Sequence, residues 1–527
     1  MEMTKSTSKY YPIYIAIILL LLIPALFINL GLLPLIADEA TRALVSLEME
    51  LSGNLITPTI NGEYYFNKPP LYNWILLSFF QLSGNHSEWI IRLPALISLL
   101  LFGLIIYLSI VKYTDKRVAF ISALAFITSG RILFYDSMLG LIDLSFSLLI
   151  FLNFILIYHF AKKGNYWILF MLSYLVVSVT FLMKGLPAIV FQFITIITAL
   201  VFFKDWKKLF RIPHFIGIAI FLIIVGGYYL LLWKENPDSN YFQTLLTEST
   251  KRTFMEYGWW KTFTHLFTFP PEQFYHLLPW SLLLIFLFKK DFYKKIKENH
   301  FLNFLAIVFL VNIPVYWISV ESYPRYLFML YPILLILLIN HYYSLKNTDK
   351  LMKLFWPGVI ILFVISLLVG SWFFFNHDFN TQNKSTLIFY IVLALSLLGM
   401  FILWKQSDFR LEILIILLLI IRISFNLVIL PERESKSDTC IQKNQAIEIS
   451  KITANSEVLL HYNTPISVET VYYISSERMD ILEKTNNEKE GDYYIFDARD
   501  PIREKERIIY SFETRWNNKK LRLSEFE

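Results

Sequence analysis

Apolar residues in this chain come in blocks of roughly 17–25, the length a helix needs to cross about 30 Å of hydrocarbon. Thirteen such blocks start near Pro12, Trp89, Val118, Met138, Tyr166, Leu186, Ile212, Phe274, Phe301, Leu327, Leu354, Leu387 and Leu411. Over 527 residues, 56% are hydrophobic and only 17% charged, which argues against a soluble protein. The chain reads as an all-α polytopic membrane protein. Its first block, Tyr11 to Ile36, is too long for a signal-peptide core and no clear small-x-small cleavage site follows, so it is expected as a retained span. Cys440 is the single cysteine, so neither an intrachain disulfide nor a cysteine-based zinc site is available.

The loops between blocks alternate in charge. One set carries Lys112, Lys116 and Arg117, then Lys162 and Lys163, then Lys204, Lys207, Lys208 and Arg211, and continues in that way. The other set holds at most one basic residue in each short loop, namely Lys184, Arg325 or Lys384. Lys/Arg excess marks the cytoplasmic side. The amino terminus, with Lys5 and Lys9, is therefore expected inside, and an odd span count puts everything after about Leu430 outside. There the composition changes abruptly. Residues 431–527 are charged, with short apolar runs at Glu457–Tyr462, Thr470–Ile474 and Asp492–Phe496, and read as a small extracytoplasmic α/β domain after a membrane domain over 1–430. Two long outer segments are expected within the membrane domain, about 38–88 and 234–273.

Nearly every polar residue capable of chemistry falls on the outer side. Asp38 and Glu39 follow the first block, and Lys68 sits in YYFNKPPLYNW. Asp136 lies in FYDSMLGLID, Lys184 in FLMKGLP, and Arg325 with Tyr326 in SYPRYLF. Charges at membrane depth cost a few kcal/mol each on insertion scales, so they usually face a cavity and often mark function. Convergent cations suit the phosphate of a lipid-phosphate donor, and a carboxylate suits work on an acceptor. Each residue also has a plainer reading. Asp38 and Glu39 fit a cap at a helix start, and Asp136 fits a cap of the fourth span. Lys68, Lys184 and Arg325 fit anchors reaching the headgroups. No cofactor is called for outright. A divalent metal is one candidate, with His265 or His276 beside Glu248 or Glu272, although the spacing matches no specific motif. Trp259, Trp260 and Trp280 fit an interfacial aromatic belt.

The segments DEATRALVSLEM, SGNLITPTINGEYYFNKPPLYNW and EWIIRLPAL together resemble the first-loop signature of the lipid-linked-sugar glycosyltransferases. That superfamily, of GT-C fold, includes aminoarabinose transferase and the protein O-mannosyltransferases. DSMLGLIDLSFSLL, FLMKGLPA, EQFYHLLPW and SYPRYLFMLYP follow in the order of the bacterial aminoarabinose-transferase-like branch, so the resemblance covers roughly residues 10–340. It implies about 13 transmembrane helices and an outer carboxy-terminal domain. It also implies a catalytic aspartate at Asp38 and a second acidic site residue at Asp136. Substrate-binding roles are implied for Glu39, Arg42, Tyr65, Lys68, Lys184, Arg325 and Tyr326. Two departures stand out. Thr41-Arg42 occupies places where the family usually has Arg-Tyr, and Asn67 precedes Lys-Pro-Pro where a metal-associated Glu is common.

The expectation is an inverting glycosyltransferase of the bacterial inner membrane with its active site on the periplasmic side. It would move a sugar from a polyprenyl-phosphate carrier to lipid A, a glycan or a protein. No Gly-rich phosphate loop is present and no nucleic-acid partner is implied. A transporter or flippase of lipid-linked saccharides is the alternative, but the inverted repeats common in transporters are missing from the sequence.

Overall fold

The thirteen apolar blocks recur in the computed structural model as helical segments in the expected order, but they are not thirteen equal spans. The structure describes residues 5–237, 240–241, 243–244, 247, 254–345, 349–376, 383–454, 456–486, 492–513 and 519–526. The chain first runs through α1 (Lys5–Phe27), α2 (Asp38–Ser52), β1 (Thr59–Ile60), β2 (Glu63–Tyr64) and α3 (Leu71–Ser83). Next come α4 (Glu88–Ile110), α5 (Lys116–Ile127), the short α6 (Gly130–Phe134), α7 (Ile142–Lys162), α8 (Tyr166–Lys184), α9 (Pro187–Phe202) and α10 (Ile212–Glu235). Among the described residues, nine helices are long and apolar enough to cross a membrane, or ten if one bent pair counts as a span.

The remaining expected blocks are shorter or bent. α9 has 16 residues and reaches about 24 Å at 1.5 Å per residue. The block expected near Phe274 becomes a nine-residue 3-10 stretch, Trp280–Phe288, and the one near Leu327 a 14-residue helix, Tyr331–Ser344. Pro187, Pro279 and Pro332 stand at these starts, where proline is tolerated but cannot be extended backwards into a longer helix. The bent pair is α5 with Gly130–Met138, at 49°. There the Thr128 and Ser129 hydroxyls donate back to the carbonyls of Leu124 and Ala125, and Gly130 N–H donates to Leu278 O at 2.7 Å. A Cβ on Gly130 would sit 2.8 Å from that carbonyl, so the crossing needs glycine.

The first long loop, between α1 and α4, is a folded unit. Asp38 and Glu39 fall in the first turn of α2, where carboxylates complement the helix dipole, and Gly53 ends the helix at φ 70°. Asn61 and Gly62, both at positive φ, form the two-residue turn that pairs β1 with β2. Glu48 on α2 holds that hairpin, accepting from Thr59 Oγ1 at 2.7 Å, Asn61 N–H at 2.6 Å and Gly62 N–H at 3.3 Å. Burial pushes the Glu48 carboxyl upward, and these hydrogen bonds oppose the shift.

The tail is the small α/β domain expected. Its five-stranded sheet has the order β4-β3-β5-β7-β6, from β3 (Val458–His461), β4 (Lys484–Thr485), β5 (Tyr493–Asp497), β6 (Glu506–Glu513) and β7 (Lys520–Phe526). β3 pairs in parallel with β4 and β5, and the β5–β7 and β7–β6 pairs are antiparallel. One run departs from the expectation. Thr470–Ile474 lies in a helix, Val468–Arg478, rather than a strand, because the Ser467 side chain caps its start.

This domain packs on the first loop through a shared apolar core that includes Leu35, Ala43, Leu47, Ile449, Val471 and Ile474. Polar contacts join the same surfaces. Tyr473 Oη donates to Glu88 at 2.8 Å, Asn61 Nδ2 donates to Leu482 O at 2.8 Å, and Lys484 meets Glu63 at 2.5 Å.

Glu39 pins the loop to the membrane domain. It is fully buried, and Arg92 of α4 donates to both its oxygens, at 2.9 Å and 3.2 Å. Ile36 N–H and Gly140 N–H add bonds of 3.0 Å and 2.8 Å. Arg92 also reaches Leu30 O at 2.8 Å and Pro34 O at 3.1 Å. Gly140 is the second glycine the fold requires, since a Cβ there would lie 2.8 Å from Ile91 O. The substrate-binding role expected of Glu39 does not fit this placement, because both oxygens are committed inside the protein. Removing one partner of a buried pair costs about 3–5 kcal/mol. Glu39→Gln should therefore lower the thermal midpoint of the detergent-solubilised protein markedly. A melting curve indistinguishable from wild type would contradict the pin.

Candidate active site

Four side chains from four separate parts of the chain form one continuous line of charge. Asp38, the first residue of α2, points its carboxylate to solvent with 66% of the side chain exposed. Arg325 Nη2 lies 2.6 Å from Asp38 Oδ2, and Arg325 Nε lies 3.1 Å from Asp143 Oδ2. The other Asp143 oxygen accepts from the Lys184 ammonium. Asp143, Lys184 and Arg325 are all buried, so within this line Asp38 is the open end. Lys184 Nζ sits 3.9 Å from the centroid of the Tyr326 ring, and Arg325 Cζ 4.5 Å from that of Tyr323. The charge of Lys68 reaches Asp143 as well. Burial works against the charged form of Arg325, but the carboxylates of Asp143 and Asp38 outweigh it, and its pKa is raised.

Local structure explains each placement. Asp143 occupies the first turn of α7, and Lys184 the last turn of α8, the ends a helix dipole favours for those charges. Gly185, at φ 84°, then turns the chain out of α8. Pro324 sets the short turn that carries Arg325 and Tyr326. Lys68 follows the hairpin anchored by Glu48 and precedes Pro69-Pro70, the entry to α3. Beside it, Arg42 of α2 donates to Tyr65 Oη at 2.5 Å, with its guanidinium 5.1 Å from the Tyr65 ring centroid. Arg42 Nη1 is buried without an acceptor among the described residues, so the arginine retains donor capacity.

The structure thus brings together Asp38, Lys184, Arg325 and Tyr326, with Lys68 near and the Arg42–Tyr65 pair on the same loop. Asp136 is not brought to the open end. It is 1% exposed and ion-pairs with Arg131 at 2.8 Å, apart from the line. The carboxylate that holds the cations is instead Asp143, seven residues later in the same DSMLGLID segment. Its signal was there to read, a second aspartate just before an apolar run. Lys184 and Arg325 are buried inside the protein and do not reach for headgroups as anchors.

His276 pairs loosely with Glu272 at 3.6 Å, and His265 Nε2 lies 3.5 Å from Ser322 Oγ. Glu248 lies outside the described residues, and among those described no group of three His, Cys, Asp or Glu side chains could hold a metal. Burial, then Arg131, lowers the His276 pKa to about 4. Trp259 and Trp260 are exposed as an interfacial belt requires, whereas Trp280 is 1% exposed and donates to Thr128 Oγ1 at 3.1 Å, so it belongs to the core.

Residues 67–230 match the family described as dolichyl-phosphate-mannose-protein mannosyltransferase. An undecaprenyl phosphate-alpha-4-amino-4-deoxy-L-arabinose arabinosyl transferase of Enterobacter sp. is 23% identical over 373 residues, 66% of this chain and 63% of the relative. The enzyme of that name from Pseudomonas savastanoi pv. phaseolicola is 38% identical over 116 residues, 21% of this chain and 22% of the relative. The matched stretches therefore span less than two thirds of either transferase. In fold the match is nearly complete. The crystal structure of ArnT from Cupriavidus metallidurans bound to undecaprenyl phosphate superposes with a TM-score of 0.72 over 98% of both chains, at 16% identity. Its apo form gives 0.69 over 99% of this chain and 98% of that one, also at 16% identity. This chain therefore shares the fold of the ArnT structures, and stretches of its sequence are similar to the arabinosyl transferases and to the mannosyltransferase family.

Proposed function

We propose that this chain is an inverting glycosyltransferase of the bacterial inner membrane. It takes a sugar from a polyprenyl-phosphate carrier and passes it to a lipid, glycan or protein acceptor on the periplasmic side. The observation that carries the reading is the line Asp38–Arg325–Asp143–Lys184, with Lys68 beside it. Fold and sequence likeness to transferases named for an undecaprenyl-phosphate sugar supports that class of donor.

In a single displacement the acceptor oxygen bonds to the anomeric carbon while the bond from that carbon to the carrier phosphate oxygen breaks. Configuration at that carbon inverts. Negative charge grows on the departing phosphate, and donors already in place around it stabilise that state without reorganising. Arg325, Lys184 and Lys68 are those donors. Asp143 holds two of them in fixed positions before the substrate arrives. At the open end, Asp38 is oriented by Arg325 and exposes its solvent side to accept the proton of an acceptor hydroxyl. With an acceptor that is already an anion, Asp38 only positions it.

Asp38→Asn should leave donor binding intact and, for a hydroxyl acceptor, lower turnover by about 10²–10⁴-fold. Near-normal turnover on native donor would refute the assignment. Loss of one charge-stabilising donor typically costs about 10²–10³ in kcat. Arg325→Gln should show that loss together with weaker donor binding, and unchanged donor affinity would remove it from the clamp. The overall reading is tested by mass spectrometry of envelope glycolipids and glycoproteins from cells carrying wild type or Asp38→Asn. One sugar increment should vanish from one acceptor, naming sugar and acceptor together. If every glycoconjugate were unaltered, the transferase reading would fail.

A further inference from the structure

Ala37 adopts φ 52°, ψ −131°, a backbone conformation that favours glycine and that an alanine holds only when its surroundings enforce it. It directly precedes Asp38 and begins α2, where its side chain supplies no cap. The backbone on either side of this bend is fixed from two directions. From the membrane domain, the Glu39 carboxylate accepts Ile36 N–H at 3.0 Å. From the outer domain, Glu469 Oε1 accepts Ala37 N–H at 3.0 Å, and Tyr473 Oη accepts Leu35 N–H at 2.8 Å.

Glu469 and Tyr473 occupy the same helix, Val468–Arg478, one turn apart, so their side chains leave one face together. That helix is itself held firmly. Tyr473 donates to Glu88, Lys443 meets the same Glu88 oxygen at 2.5 Å, and Tyr472 donates to His86 O at 2.5 Å. Glu469 is 7% exposed, and its hydrogen bond is to the residue whose conformation sets the direction in which the Asp38 side chain leaves the backbone.

We infer that Glu469 is a positioning residue for the reaction, and that the outer domain serves the active site by holding Ala37 in the bend that presents Asp38 to the acceptor. This rests on the transferase reading above. Glu469 touches no reacting atom. It acts through one backbone N–H, and what it needs is an acceptor oxygen, not a negative charge.

The test uses the full-length protein in detergent or proteoliposomes with a polyprenyl-phosphate sugar donor and its identified acceptor. Glu469→Ala is expected to lower kcat on the order of 10²-fold, the scale of an ångström-level misplacement, while donor KM and the melting midpoint stay near wild type. Glu469→Gln keeps a carbonyl oxygen for the Ala37 N–H and should restore most of the rate. Ala37→Gly, which reaches the same backbone conformation without strain, should make turnover much less sensitive to Glu469→Ala, so the double variant should outperform Glu469→Ala alone. Wild-type kcat in Glu469→Ala would overturn the inference. So would a Gln variant as slow as the Ala variant, or a slowdown that Ala37→Gly leaves untouched. A wild-type protein with no transfer activity would instead defeat the transferase reading, so the two failures are separable.

Discussion

The buried pair of Glu39 and Arg92 is the joint on which the outer face of this protein depends. Two charges taken out of water are stabilising only when nearly all their hydrogen-bonding capacity is used. Here the carboxylate takes two bonds from Arg92 and one each from Ile36 and Gly140, while the guanidinium also serves Leu30 and Pro34. Every one of these partners comes from a segment bordering the site: the exit of α1, the start of α4, and the DSMLG turn before α7. The pair therefore fixes the relative positions of Asp38, one residue before Glu39, and Asp143, three residues after Gly140. A carboxylate on a free loop would lose that register.

Much of this was legible in the sequence, and the illegible part has a physical explanation. Apolar block length gave the membrane class, and Asp38, Lys184 and Arg325, which the sequence singles out, lie together in the structure. The number of full spans was not legible, because hydropathy counts apolar residues whether the backbone is α-helical or the tighter 3-10 form of Trp280–Phe288. Glu39 looked as available as its neighbour Asp38. One position along a helix rotates a side chain by about 100°, enough to separate a solvent-facing carboxylate from a buried one. Asp136 and Asp143 lie in one motif, and only the packing of α7 against the Pro324–Leu327 turn shows which of them meets Arg325. Thr470–Ile474 misled for a related reason. β-branched and aromatic residues suggest a strand, but the cap at Ser467 and the contact with the first loop decide for helix.

Lys184 and Arg325 illustrate how two buried cations are held together in one protein. Alone, each would carry a large desolvation cost. Asp143 offsets that cost for both, and aromatic faces at Tyr326 and Tyr323 cover their remaining sides. Under the proposed function, a donor phosphate would meet cations already held in place, so ordering costs would fall on folding and not on catalysis.

The same logic extends to the outer domain. A span bundle fixes whatever hangs from helix ends by rigid packing, as with Asp143 and Lys184. Asp38 differs, because it follows a bend outside the bundle and opens to solvent. Its precision comes from contacts made to the bend, among the described residues from Glu39, itself held by Arg92, and from the Val468–Arg478 helix. Strain at Ala37 then has a physical role. A bend that is costly by itself exists only while both supports are in place, which ties the geometry of the acceptor side to the assembly of the whole chain.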